Sequence, residues 1–182
     1  MSTAAIQRAQ AAAQVNANAT TAQIFGLLTN PTVNVCTLPL VGNTSQKRLR
    51  VTAVGYVTTG TTTNVTATLI GIAGQSQPGT PFTIGNWTTI AASTARAVNS
   101  ASAPWIIEAD LIYDNVSGKL HGKFSAEVNN LVDNWAAITG VLTGLSDAPA
   151  NTMPVALFGV AITFSAANGG NIGNLGDFSL DA

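Results

Sequence analysis

The stretch Trp105-Ile106-Ile107-Glu108-Ala109-Asp110-Leu111-Ile112-Tyr113-Asp114 runs through Asn115-Val116-Ser117-Gly118 into Lys119-Leu120-His121-Gly122-Lys123-Phe124-Ser125-Ala126-Glu127-Val128. Its first part places Trp105, Ile107, Ala109, Leu111 and Tyr113 on one phase and Glu108, Asp110 and Asp114 on the other, the period-two pattern of a half-buried strand. Its last part repeats the pattern with Leu120, Gly122, Phe124, Ala126 and Val128. Bringing both apolar sets to one sheet face requires odd positions to oppose even ones, and therefore a connection with an even number of residues. Asn115 to Gly118 meets that condition, with Gly118 free to take a positive φ. The same register sets Asp114 opposite Lys119 and Asp110 opposite Lys123, two favourable cross-strand pairs. The stretch predicts an antiparallel hairpin.

Working outward, the period of two holds from about residue 33 onward. Strands are expected at 33–41, 48–58, 64–73, 81–92, 104–114, 119–129, 136–143, 154–165 and 176–181. The separators are rich in Gly, Asn, Pro and Ser, as in Gly74-Gln75-Ser76-Gln77-Pro78-Gly79. Eight or nine short strands fit an all-β fold, an antiparallel β-sandwich of jelly-roll type over residues 31–182. With 182 residues, 46% of them hydrophobic, the chain can bury a substantial core.

Residues 1–30 read differently, as a partly helical N-terminal arm. Ser2 and Thr3 suit a helix start, and Pro31 marks a stop. The apolar stripe Ile6, Ala9 and Ala13 is too thin to hold an isolated helix in water, so the arm needs something to pack on. Ile6, Ile24, Phe25, Leu27 and Leu28 are its candidate interface residues. At the other end, Gly170-Asn171-Ile172, Gly173-Asn174-Leu175 and Gly176-Asp177-Phe178 repeat every three residues. That beat fits an extended path whose apolar edge, Ile172, Leu175 and Phe178, lies in a groove on this subunit or a neighbour. It also fits a Gly-rich loop leading into a last strand.

Only 8% of residues are Asp, Glu, Lys or Arg, against roughly 25% in ordinary soluble domains. Thr, Asn, Ser and Gly carry the polarity instead, as in Thr58-Thr59-Gly60-Thr61-Thr62-Thr63-Asn64. Such surfaces are common where subunits tile against one another. Net charge is -1, yet Arg8, Lys47, Arg48, Arg50 and Arg96 precede residue 101 and all 8 acidic residues follow it. Either the two signs pair within the sheet, or a basic patch on one subunit meets an acidic patch on the next.

Signals of chemistry are sparse. Cys36 is the one cysteine and reads as a buried strand residue. Arg8 and several glutamines interrupt the alanines of the first segment, so no secretory signal is expected, and no stretch is apolar for long enough to span a bilayer. The Asn-x-Ser/Thr sequons at Asn43, Asn64, Asn86 and Asn115 are expected as products of composition. His121 is the only histidine and falls on the solvent face of its strand, which leaves little material for a catalytic triad or a multi-histidine metal site. Glu108, Asp110 and Glu127 share a face in the manner of paired glycosidase carboxylates, but each has a local structural explanation. Lys47-Arg48-Leu49-Arg50 reads as a solvated strand edge rather than a nucleic-acid footprint, in keeping with a pI near 5.6. No catalytic residue, cofactor or metal is assigned. Trp87 and Trp135, beside polar turn-like sequence, are candidate platforms for a sugar ring.

On the hairpin from Trp105 to Gly122 and the ending Phe164-Ser165-Ala166-Ala167-Asn168-Gly169-Gly170-Asn171, the chain resembles the small structural proteins of tailed-phage virions, in which a short arm precedes an Asn/Thr/Gly-rich β-sandwich. The resemblance implies a homotrimeric capsid cement or decoration protein, or the base of a fibre, located in the virion. Its partners would be copies of itself and the major capsid protein or other virion proteins, with no role for nucleic acid or membrane. The arm would reach across a neighbouring subunit. The alternative is a carbohydrate-binding, host-recognising β-sandwich on a fibre or tail.

Overall fold

The structure, a computed structural model, describes residues 6–9, 23–24, 36–39, 47–76, 88–114, 119–141 and 153–181. In chain order the strands are β1 (Ile6–Ala9), β2 (Gln23–Ile24), β3 (Cys36–Pro39), β4 (Lys47–Thr58), β5 (Thr63–Ser76) and β6 (Thr88–Ala92). They continue with β7 (Arg96–Val98), β8 (Ala103–Asp114), β9 (Lys119–Val128), β10 (Leu131–Val141), β11 (Met153–Phe164) and β12 (Ile172–Asp181). Every pairing is antiparallel. One sheet, sheet A, has the order β1-β12-β4-β8-β9-β10. The other, sheet B, has the order β2-β11-β5-β6, with β3 also on β11 and β7 also on β5. The fold is all-β, compatible with the expected sandwich.

The decisive hairpin forms in the expected register, with Asp114 opposite Lys119 and Asp110 opposite Lys123. Its inward set, Trp105, Ile107, Ala109, Leu111 and Tyr113, is buried, and so are Leu120, Phe124, Ala126 and Val128 across from it. They share one core with Leu49, Val51 and Ala53 of β4, Val65, Ala67 and Leu69 of β5, and Phe158, Val160, Ile162 and Phe164 of β11. At about 25 cal/mol per Å² of apolar area removed from water, these side chains supply the main stabilising term of the fold.

Four expectations need correction. The two described segments of the arm, Ile6–Ala9 and Gln23–Ile24, are strands rather than helix, because β12 and β11 offer backbone partners that a thin alanine stripe lacks. Both therefore belong to the sheets of their own chain. Arg48 and Arg50 do not lie on a sheet edge, since β4 runs between β12 and β8 with Leu49, Val51, Ala53 and Val57 buried and its arginines on the outer face. The C-terminal beat of three resolves into a strand with a bulge. Leu175 opposes Gly55 and Asp177 opposes Val54, which leaves Gly176 as the extra residue and turns Leu175 and Phe178 to the same, buried side. Ile172 falls on the opposite phase and is half-buried.

The fourth correction concerns the Thr/Asn runs. They tie together the loops at one end of the molecule, 59–62, 99–102, 129–130 and 165–171, instead of forming only outer surface. Thr59 Oγ1 donates to Val98 O, and Thr58 Oγ1 donates to Ala101 O. Thr63 Oγ1 accepts from Ala166 N, while Ser165 Oγ accepts from Asn64 N. Asn171, fully buried, accepts from Gly60 N through Oδ1 and donates to Ala166 O through Nδ2, joining the β4–β5 connection to the β11–β12 connection. Short polar side chains do this work without the desolvation cost of charge.

Trp105 opposes Gly55 in the β4–β8 ladder, and a Cβ at Gly55 would lie 2.5 Å from the indole ring and 2.0 Å from Asn174 O. Neither neighbour is a flexible side-chain end. Gly55→Ala is therefore expected to destabilise the chain by about 3 kcal/mol, the upper part of the range for overpacking. Urea unfolding followed by Trp fluorescence checks this, and an unchanged midpoint would show that the indole does not sit over Gly55.

Candidate functional site

The described strands divide charge unequally. Sheet B holds one formal charge, Arg96, whereas the outer face of sheet A carries Arg48, Arg50, Glu108, Asp110, Lys123, Glu127, Asp177 and Asp181. There Arg48 pairs with Asp110 at 3.4 Å and Arg50 with Glu108 at 3.6 Å, each along a diagonal of the β4–β8 ladder. A shallow depression of about 330 Å³ lies between Arg48, Arg50, Asp110 and Asp181. Basic residues from the first half of the chain thus meet acidic residues from the second within one sheet, the internal branch of the two readings of that asymmetry. Both arginines are well exposed, so these pairs contribute little to stability.

The described apolar exposure is concentrated elsewhere, on β10. Asn129 and Asn130, at φ 54° and 60°, form the two-residue turn that starts this strand at Leu131. β10 ends the order of sheet A, with β9 on one side. Leu131 is 49%, Val132 60% and Trp135 48% exposed. Trp135 stands in a strand, not in a turn as its flanking sequence suggests. The ladder skips from Asp133 opposite Ala126 to Ala136 opposite Phe124, so Asn134 and Trp135 share the place opposite Ser125. Ser125 Oγ donates to Asp133 O at 3.2 Å and holds this bulge. Bulges re-aim side chains at sheet edges, and here the side chain is an indole.

Beneath the patch, Asp133 fixes the strand to the opposite sheet. Its partner Ala126 is a core residue, so Asp133 lies on the inward phase, and its side chain is largely buried. Thr94 N donates to Oδ2 at 2.6 Å, and the Arg96 guanidinium donates to Oδ1. Desolvation pushes the Asp133 carboxyl up, but the Thr94 bonds, the Arg96 bond and the guanidinium charge outweigh it and hold the group below its ordinary value. Asn129 Nδ2 adds a bond to Ala97 O on the same side of the molecule.

The candidate residues named from sequence are only partly assembled. Ile6 and Ile24 lie in β1 and β2, paired with β12 and β11, and their side chains lie outside the described residues, as do Phe25, Leu27, Leu28 and Trp87. Leu175 and Phe178 are core residues, so they are not available to a neighbour. Trp135, the candidate sugar platform, is exposed, and the sequence reading missed Leu131 and Val132 on the same strand. The signal that locates them is Asn129-Asn130, two residues that tolerate the left-handed region and so mark a hairpin turn. Glu108 and Asp110 are taken up by arginines, whereas Glu127 stands apart opposite Ile106.

No protein family matches the chain, and neither does any curated protein or solved structure.

Asp133→Asn removes the charge from the bond to Arg96 and is expected to cost about 2 kcal/mol, the scale of a charged hydrogen bond in a mostly buried setting. The sign of the pH effect follows from the lowered carboxyl. Its contribution is complete above the ordinary carboxylate value of 3.8 and is lost as pH falls through the depressed folded value. Melting temperatures measured from pH 6 down to pH 2 should show a steeper acid loss in the wild type than in Asp133→Asn; parallel curves would remove Asp133 from this role.

Proposed function

We propose that this chain is a structural, non-enzymatic subunit of a virion, a capsid decoration protein that stabilises a phage head through contacts between subunits. The observation that carries the reading is the strand order. Sheet A contains β1-β12-β4-β8, and sheet B contains β3-β11-β5-β6. Counting the eight strands β1, β3, β4, β5, β6, β8, β11 and β12 in sequence as one to eight, the sheets read 1-8-3-6 and 2-7-4-5. This order supports reading the fold as a jelly roll, an architecture shared by viral capsid and lectin domains, with β9 and β10 added after the sixth strand.

Three further features support the reading. Charge is scarce, and three of the described carboxylates, Glu108, Asp110 and Asp133, are committed to ion pairs. The loops at one end are neutral and fixed by hydrogen bonds. Exposed apolar side chains gather on one strand. The partners in this reading are copies of the chain, as the trimer that the phage resemblance implies, and the major capsid protein. A subunit that binds only the assembled lattice stabilises it by mass action.

The expected outcome is saturable binding of the full chain to empty heads assembled from the major capsid protein encoded with it, accompanied by a rise in the melting temperature of the heads. Co-sedimentation and calorimetry read both, and absence of binding at saturating protein would overturn the proposal. A second reading, a carbohydrate-binding module, is favoured by the exposed indole of Trp135 on a fold that lectins also use. It expects glycan binding that Trp135→Ala abolishes while the melting curve is kept, and a blank glycan array removes it.

A further inference from the structure

We propose that the β10 edge is a reciprocal contact with a second copy of this chain, in which Val132 and Trp135 form the apolar centre on the outer face and Lys123 and Glu127 form a rim that is complementary to itself. The inference rests on reading the chain as an assembly subunit and adds the surface through which copies meet.

The centre has the composition of a subunit contact. Of the five large hydrophobic side chains exposed among the described residues, three lie on β10, Val132 and Trp135 toward the outer face and Leu131 on the inward phase opposite Val128, and the other two are Tyr56 and Ile112. The one formal charge on this strand, Asp133, points inward and is held by Thr94 and Arg96, so two copies of the edge approach without bringing an uncompensated like charge together. A buried tryptophan flanked by aliphatic side chains is the usual anchor of a protein interface.

The rim selects the occupant. On the outer face Lys123 stands beside Ala137 of β10, and Glu127 stands beside Val132. The two charges therefore flank the patch at either end of the same strand stretch. Among the described residues neither Lys123 nor Glu127 takes part in an ion pair. In a two-fold contact residue i of one copy meets residue j of the other and j meets i, which turns Lys123 of each copy toward Glu127 of the partner subunit. A patch carrying both signs in this arrangement complements itself, whereas a uniformly acidic or basic partner would be attracted at one end and repelled at the other.

The contact is between side chains rather than by strand addition. The register shift at Asp133/Ala136, a second one at Ile138/Val141 and an inward-pointing carboxylate are devices that keep an edge from continuing a sheet. Such a contact joins copies in pairs, alongside whatever contact closes a trimer.

The test is sedimentation equilibrium of the full chain from low to high micromolar concentration, with a thermal melt of every variant. Reversible self-association is expected, weakened at least tenfold by Trp135→Ala and several-fold by either Lys123→Glu or Glu127→Lys, and restored in the double reversal that carries both changes. Should Trp135→Ala fail to fold, Val132→Thr and the charge reversals carry the test. A chain that stays monomeric, an association indifferent to Trp135→Ala, or a double reversal as weak as the single ones overturns the contact. Binding to empty heads is measured separately, so a monomer that still decorates heads sinks this contact and leaves the virion reading standing.

Discussion

The packing of the buried face of β8 and β9 against β5 and β11 is the constraint on which the rest of this structure depends. Trp105, Ile107, Leu111 and Phe124 on one sheet meet Val65, Leu69, Phe158 and Ile162 on the other in a single core. The size of Trp105 sets local terms: the strand opposite must present Gly55, and β12 must then pass close enough for Asn174 O to fill the space that a side chain would need. The bulge at Gly176 follows in the same neighbourhood. It shifts β12 by one residue so that Phe178 and Leu180 return to the core after Leu175. A large side chain at the centre thus dictates glycine, close backbone and bulge in adjacent strands.

A core of this kind leaves little for charge to do. The ion pairs that are present act at different depths. Those of Arg48 and Arg50 lie in solvent, where Coulomb attraction is largely offset by hydration and side-chain entropy. The Arg96–Asp133 pair lies between the sheets, with side-chain exposures of 27% and 16%, and it links the loop after β6 to the edge strand β10. Removing one member of such a pair strands the other in a medium that solvates it poorly. Neutral side-chain to backbone bonds replace charge at the loop end. Asn171 and Thr59 are buried because each satisfies backbone groups on a crossing loop.

These physical roles explain what was legible in the sequence. The hairpin from Trp105 to Val128 was readable to the residue because pattern, turn length and cross-strand charge all constrain the same register. Strands β4, β5 and β11 were readable to within a few residues, since each has one phase of large apolar side chains in the core. The start of β10 was not, because a strand at the end of a sheet with most of its side chains in solvent shows no alternation. Nor was β12, whose bulge turns a period of two into an apparent period of three. Thr and Asn runs carry no sign of whether they face solvent or fasten loops; only the positions of the crossing backbones decide it. The surface candidate was half legible: Trp135 stood out by residue type, while Leu131 and Val132 became significant only once β10 was placed at the edge.

The edge strand itself shows how a sheet can end without inviting another strand and still present a surface. An unprotected edge exposes a row of backbone donors and acceptors to any chain in the extended conformation. Here Asp133 turns inward to Arg96 and Thr94, which removes a charge from the edge and fastens the strand to the other sheet. The two residues that follow, Asn134 and Trp135, occupy one ladder position, which breaks the regular row of backbone groups. The same break releases the indole from the alternation that would otherwise have set its direction. Protection of the edge and presentation of Trp135 are therefore one structural event. A substitution that straightened the bulge would alter both together, exchanging a side-chain surface for an open backbone edge.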